Sequence, residues 1–368
     1  MSLNLKTYTE HFTNPLYLES GRILEPYDIT YETYGELNDD KSNVIVICHA
    51  LTGSHHCAGI YENDKKAGWW DSFIGSGKAV DTDKYFVICT NVIGSCFGST
   101  GPMSPQYPHH NPYRYKFPVI TIKDMVKAQK ILFDKLGIHS VYAIIGGSMG
   151  GMQALQFAIS YPNFASKIIS MATTHATQPW AIAFNKISQE AILKDPDFKE
   201  GYYDSETIKQ NGLSGMAVGR MAGYISFLSP ESMQSKFGRE YKNTDGLYEL
   251  FGKFQVELFL EYNGYNFTKL FDPLSYLYIT KAINIYDLSR GFDSLSEALQ
   301  KINSELHLMS FSNDLLFKNI EMKEISDTLT KIGNKSHTYI DIDSDYGHDA
   351  FLVEVDKFEN YVKDILNG

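Results

Sequence analysis

The sequence is poor in the features that mark membrane, secreted or nucleic-acid-binding proteins. It has no run of about eighteen apolar residues, and its N-terminal stretch MSLNLKTYTEHF lacks the apolar core of a secretory signal. Positive charge is scarce, because the formal net charge is -11 and lysine and arginine form no cluster of the kind that neutralises phosphates. We therefore expect a cytoplasmic protein that binds neither membrane nor nucleic acid.

Cysteine is rare as well. The four cysteines are Cys48, Cys57, Cys89 and Cys96, and they form no C-x-x-C pair. Two of them lie in apolar runs, where free cysteine behaves as a small hydrophobe. Buried thiols are therefore expected in place of disulfides. With 43% hydrophobic and 21% charged residues among 368, and no internal repeat, the composition is typical of a globular protein with a large core.

What the sequence does contain is a series of short apolar runs that alternate with helical patterns. The runs are nearly continuous, which is typical of strands covered on both faces of a sheet. Strands are predicted at 43–48, 85–90, 141–146, 167–171, 305–311 and 337–342, and helices at 122–136, 149–160, 320–332 and 350–366. This alternation predicts an α/β fold with a mostly parallel central sheet and helices on both faces.

The alternation stops near His175 and resumes near Ser304. The segment between them has helix-length amphipathic stretches at 182–193 and 247–262, and a structureless loop of that length would be unusual in a compact domain. We therefore predict a helical lid insertion at 176–303, between two parts of one core at 1–175 and 304–368.

A single G-x-S-x-G pattern is present, made by Gly146, Ser148 and Gly150. The bare pattern is weak evidence, but here an apolar strand runs into it and a helix leaves it, which is the setting of a nucleophile elbow. A serine on such a strained turn presents its hydroxyl above the sheet, where the helix N-terminus stabilises developing negative charge. The context predicts that Ser148 is the nucleophile of an α/β-hydrolase fold; the alternative is a serine that only caps the helix.

A serine nucleophile needs a base and an acid that orients the base, and in this fold they follow in the order Ser, Asp or Glu, His. Of the four histidines after Ser148, only His348 lies in a loop between the last predicted strand and the last helix. Asp314 is the first carboxylate after the strand at 305–311. We predict His348 as the base and Asp314 as the group that holds its tautomer. A helix-capping histidine and a solvated loop aspartate are the alternatives.

Two backbone amides should stabilise the oxyanion. One is that of Met149, directly after the nucleophile, and the other is that of Leu51 or a neighbour in the loop that follows the strand at 43–48. The pairs His55–His56 and His109–His110 lack the i, i+4 spacing and the carboxylate partners of a zinc site. We therefore expect solvated loop histidines and no metal.

Several longer motifs together identify a family. CHALTGS at 48–54, GWW before Asp71, NVIGSCFGSTGPMSP, IIGGSMGGMQALQ, VGRMAGYISF and the closing YGHDAFL closely resemble the homoserine O-acetyltransferases, from about Cys48 to the C-terminal helix. The resemblance implies a two-step transfer in methionine synthesis. Ser148 would take the acetyl group of acetyl-CoA, a co-substrate, and the hydroxyl of L-homoserine would then attack the acetyl-enzyme. No metal or prosthetic group is implied.

Two further roles come from the resemblance. Arg220 matches the arginine that binds the homoserine carboxylate, and Asp349 matches the carboxylate that binds its amine. The alternatives are a surface arginine and a helix-terminal aspartate. Phe227 stands where the family usually has a tyrosine that orients the acceptor, so the acceptor site departs from the family pattern there. The resemblance also implies a homodimer that pairs through the inserted helices.

Other functions stay open at this point. Relatives of the family use succinyl-CoA or accept serine, and the same three side chains perform hydrolysis in esterases and thioesterases. A non-catalytic binding protein of this fold is a further alternative, which the intact order of the three residues disfavours. The long insertion and the pair of Arg220 and Asp349 favour transfer, because a positioned acceptor and scarce water decide the competition.

Overall fold

The structure is a computed structural model that describes residues 5–62, 66–108, 110–242 and 247–368. The strands of this part are β1 (Lys6–Phe12), β2 (Leu16–Tyr17), β3 (Ile23–Leu24), β4 (Tyr27–Tyr34), β5 (Val44–Cys48), β6 (Ile74–Gly75), β7 (Val80–Asp81), β8 (Phe86–Thr90), β9 (Val141–Gly147), β10 (Ala165–Met171), β11 (Glu305–Phe311) and β12 (His337–Ile342). Within the described ranges, one eight-stranded sheet has the order β1-β4-β8-β5-β9-β10-β11-β12.

The predicted strands form the parallel part of this sheet. All six are present, with ends shifted by no more than two residues, and they pair in parallel from β8 to β12. All five residues of β5 are buried, as expected for a strand covered on both faces. The carboxyl ends of β5, β9, β11 and β12 therefore meet at one edge of the sheet.

Two strands at the other side of the sheet were not predicted. β4 pairs antiparallel with β8, and β1 pairs antiparallel with β4 at the edge. Most of β1 is exposed, so its sequence KTYTEHF carries few of the apolar residues on which the prediction of buried strands depends. The mostly parallel sheet thus has an antiparallel margin.

The helices of the described chain are α1 (Ile122–Lys135), α2 (Met149–Ser160), α3 (Pro179–Leu193), α4 (Ser205–Asn211), α5 (Ser214–Phe227), α6 (Pro230–Phe237), α7 (Gln255–Thr268), α8 (Pro273–Asn284), α9 (Leu295–Leu299), α10 (Asn319–Lys331), α11 (Ala350–Val353) and α12 (Glu359–Asn367). None of them is long and apolar enough to cross a membrane. The four cysteines carry free thiols, three of them buried and Cys96 half-buried.

The prediction of one helix at 350–366 was wrong. The segment forms α11, a short 3-10 turn at Val355–Lys357, and α12. The indole of Trp70 donates to the Phe351 carbonyl at 2.9 Å, which satisfies an oxygen at the end of α11. Val355 and Phe358 are both buried, and the break turns them into the core.

Of the helices between β10 and β11, α3 and α5 reach the carboxyl edge of the sheet, because Ala181 of α3 and Phe227 of α5 line the same cavity as Ser148. α3 packs against α5 and α5 packs against α7. The helix predicted at 247–262 begins later in the chain, since α7 runs from Gln255 to Thr268. The Asp349 amide donates to the Phe227 carbonyl at 3.2 Å, which ties this group of helices to the loop after β12. The division at 176 and 303 stays a prediction.

Candidate active site

Ser148 lies on a sharp turn between β9 and α2. Its φ of 58° and ψ of −124° are unfavourable for a residue with a side chain. Its amide donates to the Met171 carbonyl at 3.0 Å, and the Thr173 hydroxyl donates to its carbonyl at 2.8 Å. The glycines allow the close packing of this turn, because a Cβ on Gly146 would lie 2.3 Å from the Gly150 carbonyl oxygen.

The structure brings Ser148, His348 and Asp314 together from three distant parts of the chain. His348 Nε2 lies 2.8 Å from Ser148 Oγ, and His348 Nδ1 lies 2.7 Å from Asp314 Oδ2. All three residues are at least nine-tenths buried. The elbow at the end of β9, the loop after β11 and the loop after β12 supply them because these strands end at the same edge of the sheet.

Asp314 is oriented by the backbone that follows it. Its Oδ1 accepts hydrogen bonds from the amides of Leu316 at 2.8 Å and Phe317 at 2.9 Å, which leaves Oδ2 for the imidazole. Burial lowers the pKa of His348, but the charge and hydrogen bond of Asp314, with a smaller effect of Asp349, outweigh it and raise that pKa above its usual range. The pair is therefore arranged to stabilise the imidazolium.

The two predicted oxyanion donors are both at this site. Met149 is the first residue of α2, so its amide has no partner inside the helix. Leu51 lines the cavity that also contains Ser148 and His348, and within the described chain no hydrogen bond from its amide is present. Both amides are thus free to bind an oxygen.

The cavity above Ser148 has a volume of about 90 Å³. Its polar lining includes Arg220 of α5 and Asp349, and much of the rest is apolar. Most of this lining could not be predicted from the sequence, because short pieces of separate elements form it without a common motif: Ala50, Thr52, Ala181, Asn185, Ile283, Leu316, Phe317, Phe351 and Leu352.

Arg220 is enclosed by aromatic rings. Its guanidinium carbon lies 4.9 Å from the ring centroid of Tyr224, 5.0 Å from that of Phe227 and 4.5 Å from that of Phe267. Its Nε is buried and has no hydrogen-bond partner among the described residues. A buried guanidinium donor without an acceptor is suited to a carboxylate ligand.

Asp349 is half-buried in the same cavity. Burial raises the pKa of its carboxyl, while His348 and Arg220 oppose that rise. An ammonium group bound next to it would favour the charged form. Phe227 lines the same cavity, and its ring centroid lies 5.0 Å from the guanidinium carbon of Arg220 and 6.2 Å from the ring centroid of His348.

The expectation that His55 and His56 are solvated was wrong. Their side chains are only 12% and 14% exposed, and they surround the fully buried carboxylate of Glu32. His56 Nδ1 lies 3.0 Å from Glu32 Oε2, and Tyr34 and Tyr61 also donate to this carboxylate. A buried carboxylate requires such donors, which the histidine spacing alone does not reveal.

The second histidine pair is described only in part. His110 is exposed, whereas His109 lies outside the described residues. Among the described histidines, cysteines, aspartates and glutamates, no group of three or more is arranged to hold a metal ion.

Comparisons with known proteins agree with this architecture. A family model for the alpha/beta hydrolase fold matches residues 43–355. The homoserine O-acetyltransferase of Sulfurimonas autotrophica is 80% identical over 368 residues, which cover all of both chains. The crystal structure of homoserine O-acetyltransferase from Bacillus anthracis superposes with a TM-score of 0.91 at 30% identity, covering 99% of this chain and 98% of that one.

An esterase is also similar in structure. Esterase E22 has a TM-score of 0.88 at 29% identity, covering 98% of this chain and all of the esterase chain. Fold alone therefore does not separate transfer from hydrolysis. The identity of 80% over the full length does separate the families, and the chain belongs to the homoserine O-acetyltransferase family of the α/β-hydrolase fold.

Proposed function

We propose that the chain transfers the acetyl group of acetyl-CoA to the side-chain hydroxyl of L-homoserine, through an acetyl-Ser148 intermediate, in methionine synthesis. The observation that carries this proposal is that the hydrogen-bonded series Ser148, His348 and Asp314 opens into the cavity that holds Arg220 and Asp349. A nucleophile and a site for an amino acid are thus side by side.

In the first half-reaction Ser148 Oγ attacks the thioester carbonyl while His348 Nε2 takes the serine proton. The oxyanion of the tetrahedral intermediate is stabilised by the amides of Met149 and Leu51. When the carbon–sulfur bond breaks, the imidazolium returns its proton to the CoA sulfur. Asp314 holds the imidazole in the required tautomer and stays ionised.

In the second half-reaction the homoserine hydroxyl gives its proton to His348 and attacks the acetyl-serine carbonyl. The same two amides stabilise the second oxyanion, and Ser148 leaves with the proton from the imidazolium. Arg220 binds the homoserine carboxylate and Asp349 binds its ammonium group. The opposite charges of these two side chains match the two charges of an amino acid, which supports an amino-acid acceptor over water.

The composition of the cavity also supports acetyl as the acyl group. Among the described residues that line the cavity, Arg220 is the only one with a permanent positive charge. A succinyl group brings a second carboxylate, which would require a cation in addition to the one that binds homoserine. A neutral acetyl group has no such requirement.

The first test is a matrix of acetyl-CoA and succinyl-CoA against homoserine and serine, with mass detection of the product. We expect O-acetylhomoserine as the main product and CoA release that depends strongly on homoserine. Equal CoA release with and without homoserine would contradict transfer and favour a thioesterase. Ser148→Ala should abolish CoA release and labelling by an active-site serine reagent.

A second test assigns the roles of Arg220 by pairing a variant with a substrate analogue. Arg220→Met should raise the KM for homoserine by about tenfold to a hundredfold, since a hydrogen bond to a charged group contributes about 1.5–3 kcal/mol. The same variant should have little effect on 2-aminobutane-1,4-diol, which lacks the carboxylate. Arg239→Met, at an exposed arginine whose guanidinium lies 5.4 Å from the ring of Phe254, is the matched control.

Equal losses with homoserine and with the diol would contradict the carboxylate assignment. A high KM for homoserine in the Arg239 variant would also contradict it, because that residue does not line the cavity.

The proposal includes a cytoplasmic homodimer. Free thiols at all four cysteines are in keeping with a reducing compartment. Apolar side chains exposed on the inserted helices, Trp180 and Ile187 of α3 and Val218 and Ile225 of α5, supply a surface on which a second copy could pack. Light scattering should give the mass of two chains, and a mass of one chain would contradict the dimer.

A further inference from the structure

His49 is buried next to the site and touches neither Ser148 nor His348 through a hydrogen bond. It directly follows β5 and is fully inaccessible to solvent. Its Nδ1 lies 2.8 Å from the carbonyl oxygen of Ala50, and its Nε2 lies 3.0 Å from the amide nitrogen of Val92. Both ring nitrogens are therefore engaged with backbone.

These two partners determine the state of the imidazole. The Val92 amide can only donate, so Nε2 must accept, and the Ala50 carbonyl can only accept, so Nδ1 must carry the proton. His49 is thus a neutral imidazole in one tautomer. Burial accordingly lowers the pKa of His49 to about 4, against a smaller opposing effect of the Ala50 carbonyl.

The Ala50 carbonyl belongs to the same peptide group as the Leu51 amide. A trans peptide is planar, so its C=O and N–H point in opposite directions. The Ala50 oxygen also accepts from the Gly53 amide at 3.0 Å, which makes two bonds on the side away from the Leu51 N–H. Rotation of this peptide would break both bonds.

The loop after β5 is also held to α2, the helix that follows Ser148. Gln153 of α2 donates from Nε2 to the His49 carbonyl at 3.0 Å and accepts from Gln129 Nε2 at 2.8 Å. Gln129 in turn accepts from the Thr90 hydroxyl at 2.8 Å. The backbone of His49 is thereby located relative to the helix that begins at Met149, which carries the other oxyanion amide.

We propose that His49 is a positioning residue that holds the Ala50 carbonyl and so aims the Leu51 amide at the oxyanion formed on the Ser148-bound carbonyl. The inference rests on the proposed function, because it assumes that the Leu51 amide stabilises the acyl-transfer intermediate. It adds a residue that never contacts substrate but determines the direction of a donor that does.

Two conservative variants separate the two bonds of the imidazole. In His49→Asn the side-chain amide occupies the place of Nδ1, so the donor to the Ala50 carbonyl is kept and the acceptor for Val92 is lost. In His49→Gln the amide lies at the place of Nε2, so the acceptor is kept and the Ala50 carbonyl retains only the Gly53 amide. The variants thus differ in the bond that the proposal requires.

The readout is the burst of CoA thiol on rapid mixing with acetyl-CoA in the absence of homoserine, together with the urea midpoint. His49→Gln should acylate about tenfold to a hundredfold more slowly at saturating acetyl-CoA, somewhat less than the loss of an entire oxyanion donor. The acetyl-CoA concentration at half-maximal rate should not change. His49→Asn should keep most of the rate but have a lower urea midpoint, since the buried Val92 amide is left unpaired.

Leu132→Ala, in the core of α1, is the control for lost stability alone, and it should lower the urea midpoint while the burst rate is kept. Equal slowing of the Gln and Asn variants, or a His49→Gln burst as fast as that of the unmodified protein, would overturn the proposal. A burst that persists in Ser148→Ala would instead overturn the proposed function, and the inference with it.

Discussion

Asp314→Asn is the substitution whose effect follows most directly from the geometry. The carboxylate accepts from the amides of Leu316 and Phe317 on Oδ1 and from His348 on Oδ2. An asparagine has only one oxygen, and two backbone donors compete for it against one imidazole. The oxygen should therefore face the backbone, and the side-chain NH₂ should face His348.

This orientation forces the wrong tautomer, because His348 Nδ1 must then accept and its proton moves to Nε2, which can no longer take the proton of Ser148. The opposite rotamer would leave two backbone amides unpaired at about 1–1.5 kcal/mol each. At 1.36 kcal/mol per factor of ten, roughly one molecule in a hundred stays productive. Loss of the charge that stabilises the imidazolium adds about another ten- to hundredfold. We expect kcat to fall by about 10³- to 10⁴-fold.

The pH profile supplies a second readout. His348 must be deprotonated to act as base, so activity falls as the pH decreases through its raised pKa. Asp314 supplies the largest of the effects that raise this pKa, so Asp314→Asn should move the acid limb of the kcat/KM profile to lower pH. Steady-state CoA release from acetyl-CoA and homoserine measures both effects.

Asp345→Asn is the matched control, because it removes an exposed carboxylate that accepts from Asn313 at 3.1 Å and does not contact the imidazole. It should leave kcat and the acid limb in place. An Asp314→Asn enzyme with more than about a tenth of the original kcat, or with an unmoved acid limb, would refute the reasoning.

Three further predictions concern the acceptor site, the buried carboxylate and the elbow. Phe227→Tyr should lower the KM for homoserine by about three- to tenfold, since one added hydrogen bond contributes about 0.5–1.5 kcal/mol, while the acylation burst is kept. Glu32→Gln should cost on the order of 3 kcal/mol of unfolding free energy at pH 7. Burial raises the pKa of Glu32, but hydrogen bonds from His56, Tyr34 and Tyr61 outweigh this effect and lower that pKa from 4.5 to about 2. The stability that they supply is therefore present above pH 4.5 and is lost as the pH falls toward 2. Gly150→Ala should destabilise the fold by about 3 kcal/mol in urea unfolding, because a Cβ there would lie 2.1 Å from the Cys48 carbonyl oxygen.

Each of these predictions has an outcome that contradicts it. The ring of Phe267 also contacts Arg220 but does not line the cavity, so Phe267→Tyr is the control for Phe227→Tyr. An equal fall in the KM for homoserine in both variants would show that the position of Phe227 is not special. Parallel stability–pH curves for Glu32→Gln and the unmodified protein would remove the argument for its shifted pKa. An unchanged urea midpoint for Gly150→Ala would show that the turn can open.

The six strands of the parallel part and the elbow could be predicted because both depend on neighbours in the chain. Continuous apolar runs such as VIVIC in β5 require burial on both faces wherever they lie, and a strand, Gly146, Ser148 and a helix in succession allow few geometries. The edge strand β1 and the break after Val353 could not be predicted in this way. Both depend on contacts outside the segment itself, because β1 pairs with β4 and the indole of Trp70 satisfies a carbonyl at the break.

The sequence by itself determined the α/β class, the position of the turn that bears Ser148, and the order in which Asp314 and His348 follow it, because each is encoded in local periodicity and residue type. Only the tertiary structure decided which donors surround Glu32, which side chains line the cavity, and how the Ala50–Leu51 peptide is held. His348 and Ser148 are 200 positions apart, and Val92 lies 43 positions beyond His49. Contacts of that kind form when strands from separate parts of the chain end at a common edge, and the requirement that every buried polar group be paired then selects among them.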